Sequence, residues 1–229
     1  MISAKLGLLV QRVIFWENTL TLQSTTVPPT TGQPPTGLIV VLHGWGANAQ
    51  DLAPLTSLLQ LPDYQFILPN APFPHPYAST GRAWYDFQRN NDGLAVSRQQ
   101  LSEWLQSLEQ KTQIPLSRTI LCGFSQGAAM TLDVGLNVPF AGLIALSGYL
   151  HPITQLTNQA IPPVLIVHGR QDSVVPLSAA QNARDSLIKL GVSVEYQEFD
   201  MGHEVRPAAL ERVRSFILEA MMQSTKKAS

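Results

Sequence analysis

Short continuous apolar runs alternate with amphipathic segments along most of this chain. Gly37–Leu42 and residues 65–68, 119–122, 141–146 and 164–167 are apolar and rich in β-branched side chains. Runs of that length and composition read as strands buried on both faces of a parallel sheet. Residues 193–199 alternate at period two and read as another strand. Residues 51–61, 93–112, 126–134, 178–191 and 205–222 read as helices. In the second of these Leu94, Ser97, Leu101, Trp104, Leu105 and Leu108 form a stripe at helical spacing. Residues 8–16 and 20–23 read as an opening pair of strands. Strand–helix alternation of this kind predicts an α/β architecture, a mostly parallel sheet with helices on both faces. No internal repeat interrupts it, so residues 1–229 are expected to form one domain.

Three stretches lack either period. Residues 25–36 carry Pro28, Pro29, Pro34 and Pro35 among Thr and Gly, and are expected to be an exposed loop. Residues 69–92 combine prolines with an aromatic cluster. A loop this long in a compact domain is functional or disordered, and the aromatics argue against disorder. Trp84, Tyr85 and Phe87 are therefore candidates for the wall of a substrate pocket, with packing over the sheet edge as the competing role. Residues 148–163 contain Pro152, Pro162 and Pro163; the segment is too short for a helical cap, so no large lid is expected.

Composition narrows the classes of function. The 229 residues carry a net charge of −1, and no basic run offers a surface for nucleic acid. Charged residues make up 14% of the chain, below the roughly 25% usual for soluble domains. No apolar run is long enough to span a membrane. The apolar stretch at 6–10 is broken by Gln11 and Arg12 with no cleavage pattern after it, so a cytoplasmic protein is expected. The single cysteine, Cys122, lies in a strand and is expected to be a small core residue. No His/Cys cluster has metal-ligand spacing, so no metal site is expected.

The chemistry concentrates at strand ends. Gly123-Phe-Ser125-Gln-Gly127 lies where a strand meets a helix. A serine on so sharp a turn is an exposed nucleophile, and the glycines two before and two after it keep the turn free of side chains. His43-Gly-Trp45-Gly46 follows the strand Gly37–Leu42 and offers the Trp45 amide to a ligand oxygen. Asp172 and His203 each follow a later strand, giving the order nucleophile, acid, base. Serine needs an imidazole to take its proton, and the imidazole needs a carboxylate to hold its tautomer. His43, His75, His151 and His168 compete as bases, and Asp200 competes with Asp172 as the acid. Chain order favours His203 and Asp172.

These residues resemble the acyl-protein thioesterase and carboxylesterase family, also called phospholipase/carboxylesterase, of the α/β-hydrolases. The resemblance runs from Gly37 onward. It rests on Leu42-His-Gly-Trp-Gly46, Pro69-Asn-Ala-Pro72, Trp84-Tyr-Asp86, Gly123-Phe-Ser-Gln-Gly127, the segment from His168 through Asp172 to Pro176, and Gly202-His-Glu204. It implies the α/β-hydrolase fold and cofactor-free hydrolysis of a small-molecule ester or thioester; the oligomeric state is left open between monomer and homodimer. It also implies Ser125 as nucleophile, Asp172 as acid, His203 as base, and the Trp45 and Gln126 amides as the oxyanion hole. Trp45 with Trp84, Tyr85 and Phe87 would then wall the pocket. The chain departs from the pattern at Ala47, where eukaryotic acyl-protein thioesterases often carry aspartate, and in the 25–36 loop. A non-catalytic ligand-binding module is the alternative from another class, and a serine peptidase using the same triad is the second enzymatic alternative.

Overall fold

The computed structural model describes residues 22–153, 156 and 160–228. Its elements in chain order are β1 (Ser24–Val27), β2 (Gly37–Leu42), α1 (Ala49–Leu58), β3 (Tyr64–Pro69), β4 (Phe73–Pro74), β5 (Arg82–Ala83), α2 (Leu94–Thr112), β6 (Thr119–Phe124), α3 (Gln126–Gly135), β7 (Gly142–Leu146), β8 (Val164–Gly169), α4 (Leu177–Lys189), β9 (Val194–Phe199) and α5 (Pro207–Ala228). Among the described residues seven strands form one sheet in the order β1-β3-β2-β6-β7-β8-β9. All neighbours are parallel except β1, which runs antiparallel to β3.

The continuous apolar runs occupy the centre of the sheet. β7 and β8 are buried at every residue, whereas β9, at the edge, alternates between half-buried and exposed positions. A central strand with both faces covered has no solvent side on which to place polar residues. One face packs Leu101, Trp104 and Leu105 of α2 with Met130 and Leu132 of α3 and Leu187 of α4. The other packs Val213, Phe216 and Ile217 of α5 with Leu52 of α1. Fully burying each such side chain contributes about 1.5–3 kcal/mol.

Four sequence expectations shift. The segment expected as a loop from residue 25 opens with β1, because Ser24-Thr-Thr-Val27 is β-branched before the prolines begin and pairs with β3 from Ser24↔Pro69 to Val27↔Phe66. α1 starts and stops earlier than the hydrophobic pattern indicates. Asn48 caps it by accepting from the Asp51 amide, while the Asp51 carboxylate accepts from the Asn48 amide. α5 runs past its apolar stripe, held there by the Arg118 guanidinium donating to Thr225 Oγ1 at 2.7 Å. Of the two strands expected at the start, 8–16 lies outside the described residues; Leu22 and Gln23 precede β1. The described part of 148–163 contains no helix.

Candidate active site

β6 ends in the turn Gly123–Gly127, and packing dictates its glycines. A Cβ on Gly123 would lie 2.2 Å from the Gly127 carbonyl oxygen, and one on Gly127 would lie 2.4 Å from that of Leu42. Between them Ser125 takes φ 54° and ψ −118°, a strained backbone for a residue with a side chain. The Ser125 amide donates to the Leu146 carbonyl at 2.8 Å, which ties the elbow to the end of β7.

Three strand ends converge on its hydroxyl. His203, on the loop after β9, has Nε2 3.0 Å from Ser125 Oγ and Nδ1 2.7 Å from Asp172 Oδ2. An ionised carboxylate only accepts, so Nδ1 carries the proton and Nε2 is left to accept from the serine hydroxyl. The Asp172 carboxylate is buried. Burial pushes its pKa up, but the bond from His203 and those from the Val175 and Val174 amides to Oδ1, at 2.8 and 2.9 Å, hold it below the usual carboxylate range. Asp172 is therefore an anion throughout the neutral range. Asp200, the competing acid, is exposed and paired with Arg170 at 2.8 Å.

The other histidines are engaged elsewhere. His168 Nε2 donates to the Val175 carbonyl, bracing the turn that carries Asp172. His151 Nδ1 lies 3.1 Å from Asp133, which also receives Arg98 through two bonds. His75 packs edge-on against Trp45 at 4.7 Å and accepts from the Tyr77 amide.

His43 is fully buried. Its Nε2 accepts from the Ala71 amide at 3.0 Å, so the proton sits on Nδ1, which donates to the Gly44 carbonyl at 2.8 Å. Burial lowers its pKa to about 4. The unfolded chain, with a histidine pKa near ~6.5, takes up this proton first. Stability held above that value is therefore lost as pH falls toward 4, by on the order of 3 kcal/mol from this group. The His43 ring resonances are expected to stay those of the neutral form at pH 5. Titration near 6.5 would contradict the buried geometry.

His43 and its partners set the loop that carries Trp45. A Cβ on Gly44 would lie 3.2 Å from Ser125 Cβ, so the loop passes directly beside Ser125. Gly46 donates to the Arg82 carbonyl and Arg82 donates to that of Ala47, pinning the β4–β5 hairpin to the same loop. Gln126 begins α3, where first-turn amides lack helical acceptors and point outward.

A groove of about 620 Å³ opens over Ser125 and His203, walled by Trp45, Phe87, Tyr149, Val174, Val175 and Ala179. The Trp45 and Phe87 rings pack against each other at a tilt of 58°, with centroids 4.6 Å apart. Trp84 and Tyr85 do not line it, a correction to their expected place. Both are fully buried, and the competing role, packing, is the one they fill. The Trp84 indole donates to the His43 carbonyl, and the Gln126 side chain accepts from the Trp84 amide while donating to the Tyr85 carbonyl. They clamp the elbow to the His43–Gly46 loop from behind. Sequence reasoning missed this use of the Gln126 side chain and the place of Tyr149. Its signal was available: an aromatic residue directly after Ser147-Gly148 at the carboxyl end of a buried strand.

The sequence model of the Phospholipase/Carboxylesterase family matches residues 26–221. The chain belongs to this family. It is a carboxylesterase-type hydrolase of α/β-hydrolase fold, acting on esters or thioesters. It is similar to acyl-protein thioesterase 1 of Neurospora crassa, 29% identical over 81% of this chain and 87% of that protein. Acyl-protein thioesterase 1 of Saccharomyces cerevisiae is 29% identical over 82% of this chain and 95% of that one. Among solved structures, esterase PE8 superposes with a TM-score of 0.79 at 32% identity, over 87% of this chain and 99% of that one. Acyl-protein thioesterase 2 of Zea mays, at 23% identity and a TM-score of 0.72 over 87% and 99% of the two chains, shares the fold.

Proposed function

We propose that this family member is a serine esterase in which Ser125, His203 and Asp172 form the catalytic triad, working on small-molecule esters of short to medium acyl chains in the cytoplasm. The unbroken line from Ser125 Oγ to His203 Nε2 (3.0 Å) and from Nδ1 to Asp172 (2.7 Å) carries the reading. Ser125 Oγ attacks the ester carbonyl as its proton passes to His203 Nε2. The carbonyl oxygen, now an oxyanion, takes the amides of Trp45 and Gln126. The ester C–O bond breaks, the alcohol leaves with the proton from Nε2, and the acyl group stays on Ser125. Water then repeats the sequence and releases the acid, restoring the serine hydroxyl. Family membership supports the reaction class, and the burial of Asp172 supports its role as acid.

The groove supports the preference for shorter chains. Phe87 and Val174 on its wall are 50% and 66% exposed, so an acyl chain lying there stays partly in water. Each methylene then adds less than the ~0.8 kcal/mol of full burial. Turnover of p-nitrophenyl esters from C2 to C16 is expected to peak well before C14 and to show no jump at the micellar threshold. A C14 optimum or a rise at that threshold overturns the open-groove reading. Binding of acyl esters without release of acid would favour the ligand-binding alternative.

A further inference from the structure

On the sheet face opposite α3, helix α1 lies over β1 and β3 while α5 lies over β7 and β8. Between them the carboxyl ends of β2 and β6 are covered less closely than the rest of these strands. The consequence is visible in Val41 and Phe124, which sit on central strands yet are only half-buried. They form the floor of a cavity of about 320 Å³, whose walls include Leu55 of α1 and Val213 and Ile217 of α5. The ring of His203, 4.8 Å from that of Phe124, is part of its wall. The cavity and the groove over Ser125 are thus separate spaces sharing one wall.

The lining has almost nothing to offer a polar ligand. Thr56 Oγ1 is spent on the Ala53 carbonyl at 2.7 Å, and both ring nitrogens of His203 are engaged by Ser125 and Asp172. The Cys122 thiol is buried, with its pKa pushed up to about 12, and stays neutral. At the rim Glu204 is paired with Arg206 at 2.6 Å. A charged group drawn inward would lose its water and gain no partner. A dry cavity of ~150 Å³ already admits benzene, so this one has room for roughly twelve carbons.

We propose that this cavity is a binding site for an aliphatic chain of about ten carbons, whose neutral polar end remains at the rim beside Glu204 and Val205. Such a chain covers the exposed floor at Val41 and Phe124 and lies against the back of the His203 ring. The site shares the His203 ring with the proposed triad, but its occupant does not need Ser125.

The test titrates 1-decanol, below its solubility limit, into the full chain carrying labelled valine and leucine methyl groups. Saturable shifts are expected at Val41, Leu52 and Val213, with Val174 and Val175 in the groove unmoved. Val41→Phe fills the cavity and is expected to weaken binding at least about tenfold, the loss of two buried methylenes. Leu55→Glu, at the more exposed mouth, is expected to weaken it similarly without disturbing the sheet. Decanoate is expected to bind less well than decanol, because its carboxylate loses water at a rim where Glu204 and Arg206 already pair with each other. Shifts confined to Val174 and Val175, shifts that never saturate, or unchanged affinity in both variants would overturn the proposal.

Discussion

Ser125→Ala is expected to reduce kcat by roughly 10⁶-fold, to the residue of catalysis that oxyanion donors and binding supply alone. The substitution removes one oxygen, whose hydrogen-bond partner is His203 Nε2. The backbone bond from residue 125 to Leu146 is untouched, and the glycines that make room for the elbow remain. The variant should therefore fold like the parent, and the loss should be chemical. Turnover of p-nitrophenyl butyrate and labelling by a fluorophosphonate probe both read it. Turnover within about tenfold of the parent, with labelling retained, would mean that another group attacks the ester.

Asp172→Asn should lower kcat by about 10³- to 10⁴-fold while leaving the fold in place. The direction follows from which oxygen does what. Oδ1 accepts from the Val174 and Val175 amides, so an asparagine keeps its carbonyl oxygen there and turns its NH₂ toward His203. That group donates, and it forces the imidazole proton from Nδ1 to Nε2, where it blocks acceptance from Ser125. Asp200→Asn removes only an exposed ion pair with Arg170, worth about 0–1 kcal/mol, and should change kcat less than about twofold. Comparing kcat for the two variants tests the assignment. A larger loss at Asp200 would transfer the acid role to it.

Much of this was legible before any coordinates. A buried parallel strand must be apolar on both faces, so β2, β6, β7 and β8 announce themselves as unbroken runs. The elbow is legible because its geometry excludes side chains at Gly123 and Gly127, leaving a trace in residue identity. Short-range capping was less visible. The reciprocal bonds between Asn48 and Asp51 start α1 earlier than the hydrophobic pattern does. β1 was hidden because four β-branched and polar residues before a proline cluster carry no period long enough to distinguish strand from loop.

What the chain determined by itself is the order of elements and the kinds of groups delivered to the strand ends: Ser125, Asp172 and His203, with glycines wherever a backbone must pass close. Those follow from local rules of burial, period and steric exclusion. What only the tertiary structure decided is which way each aromatic faces. Trp45, Trp84, Tyr85 and Phe87 are equally apolar in the sequence, yet Trp45 and Phe87 wall the groove while Trp84 and Tyr85 vanish into the core. The difference lies in hydrogen bonds over long sequence separations, from the Trp84 indole to His43 and between the Gln126 amide and residues 84 and 85. A buried indole must find an acceptor, and the nearest one belongs to a strand end some forty positions away. No local pattern records such a partner. The cavity behind His203 has the same origin, since it exists only because two helices, each regular in its own sequence, pack over different pairs of strands.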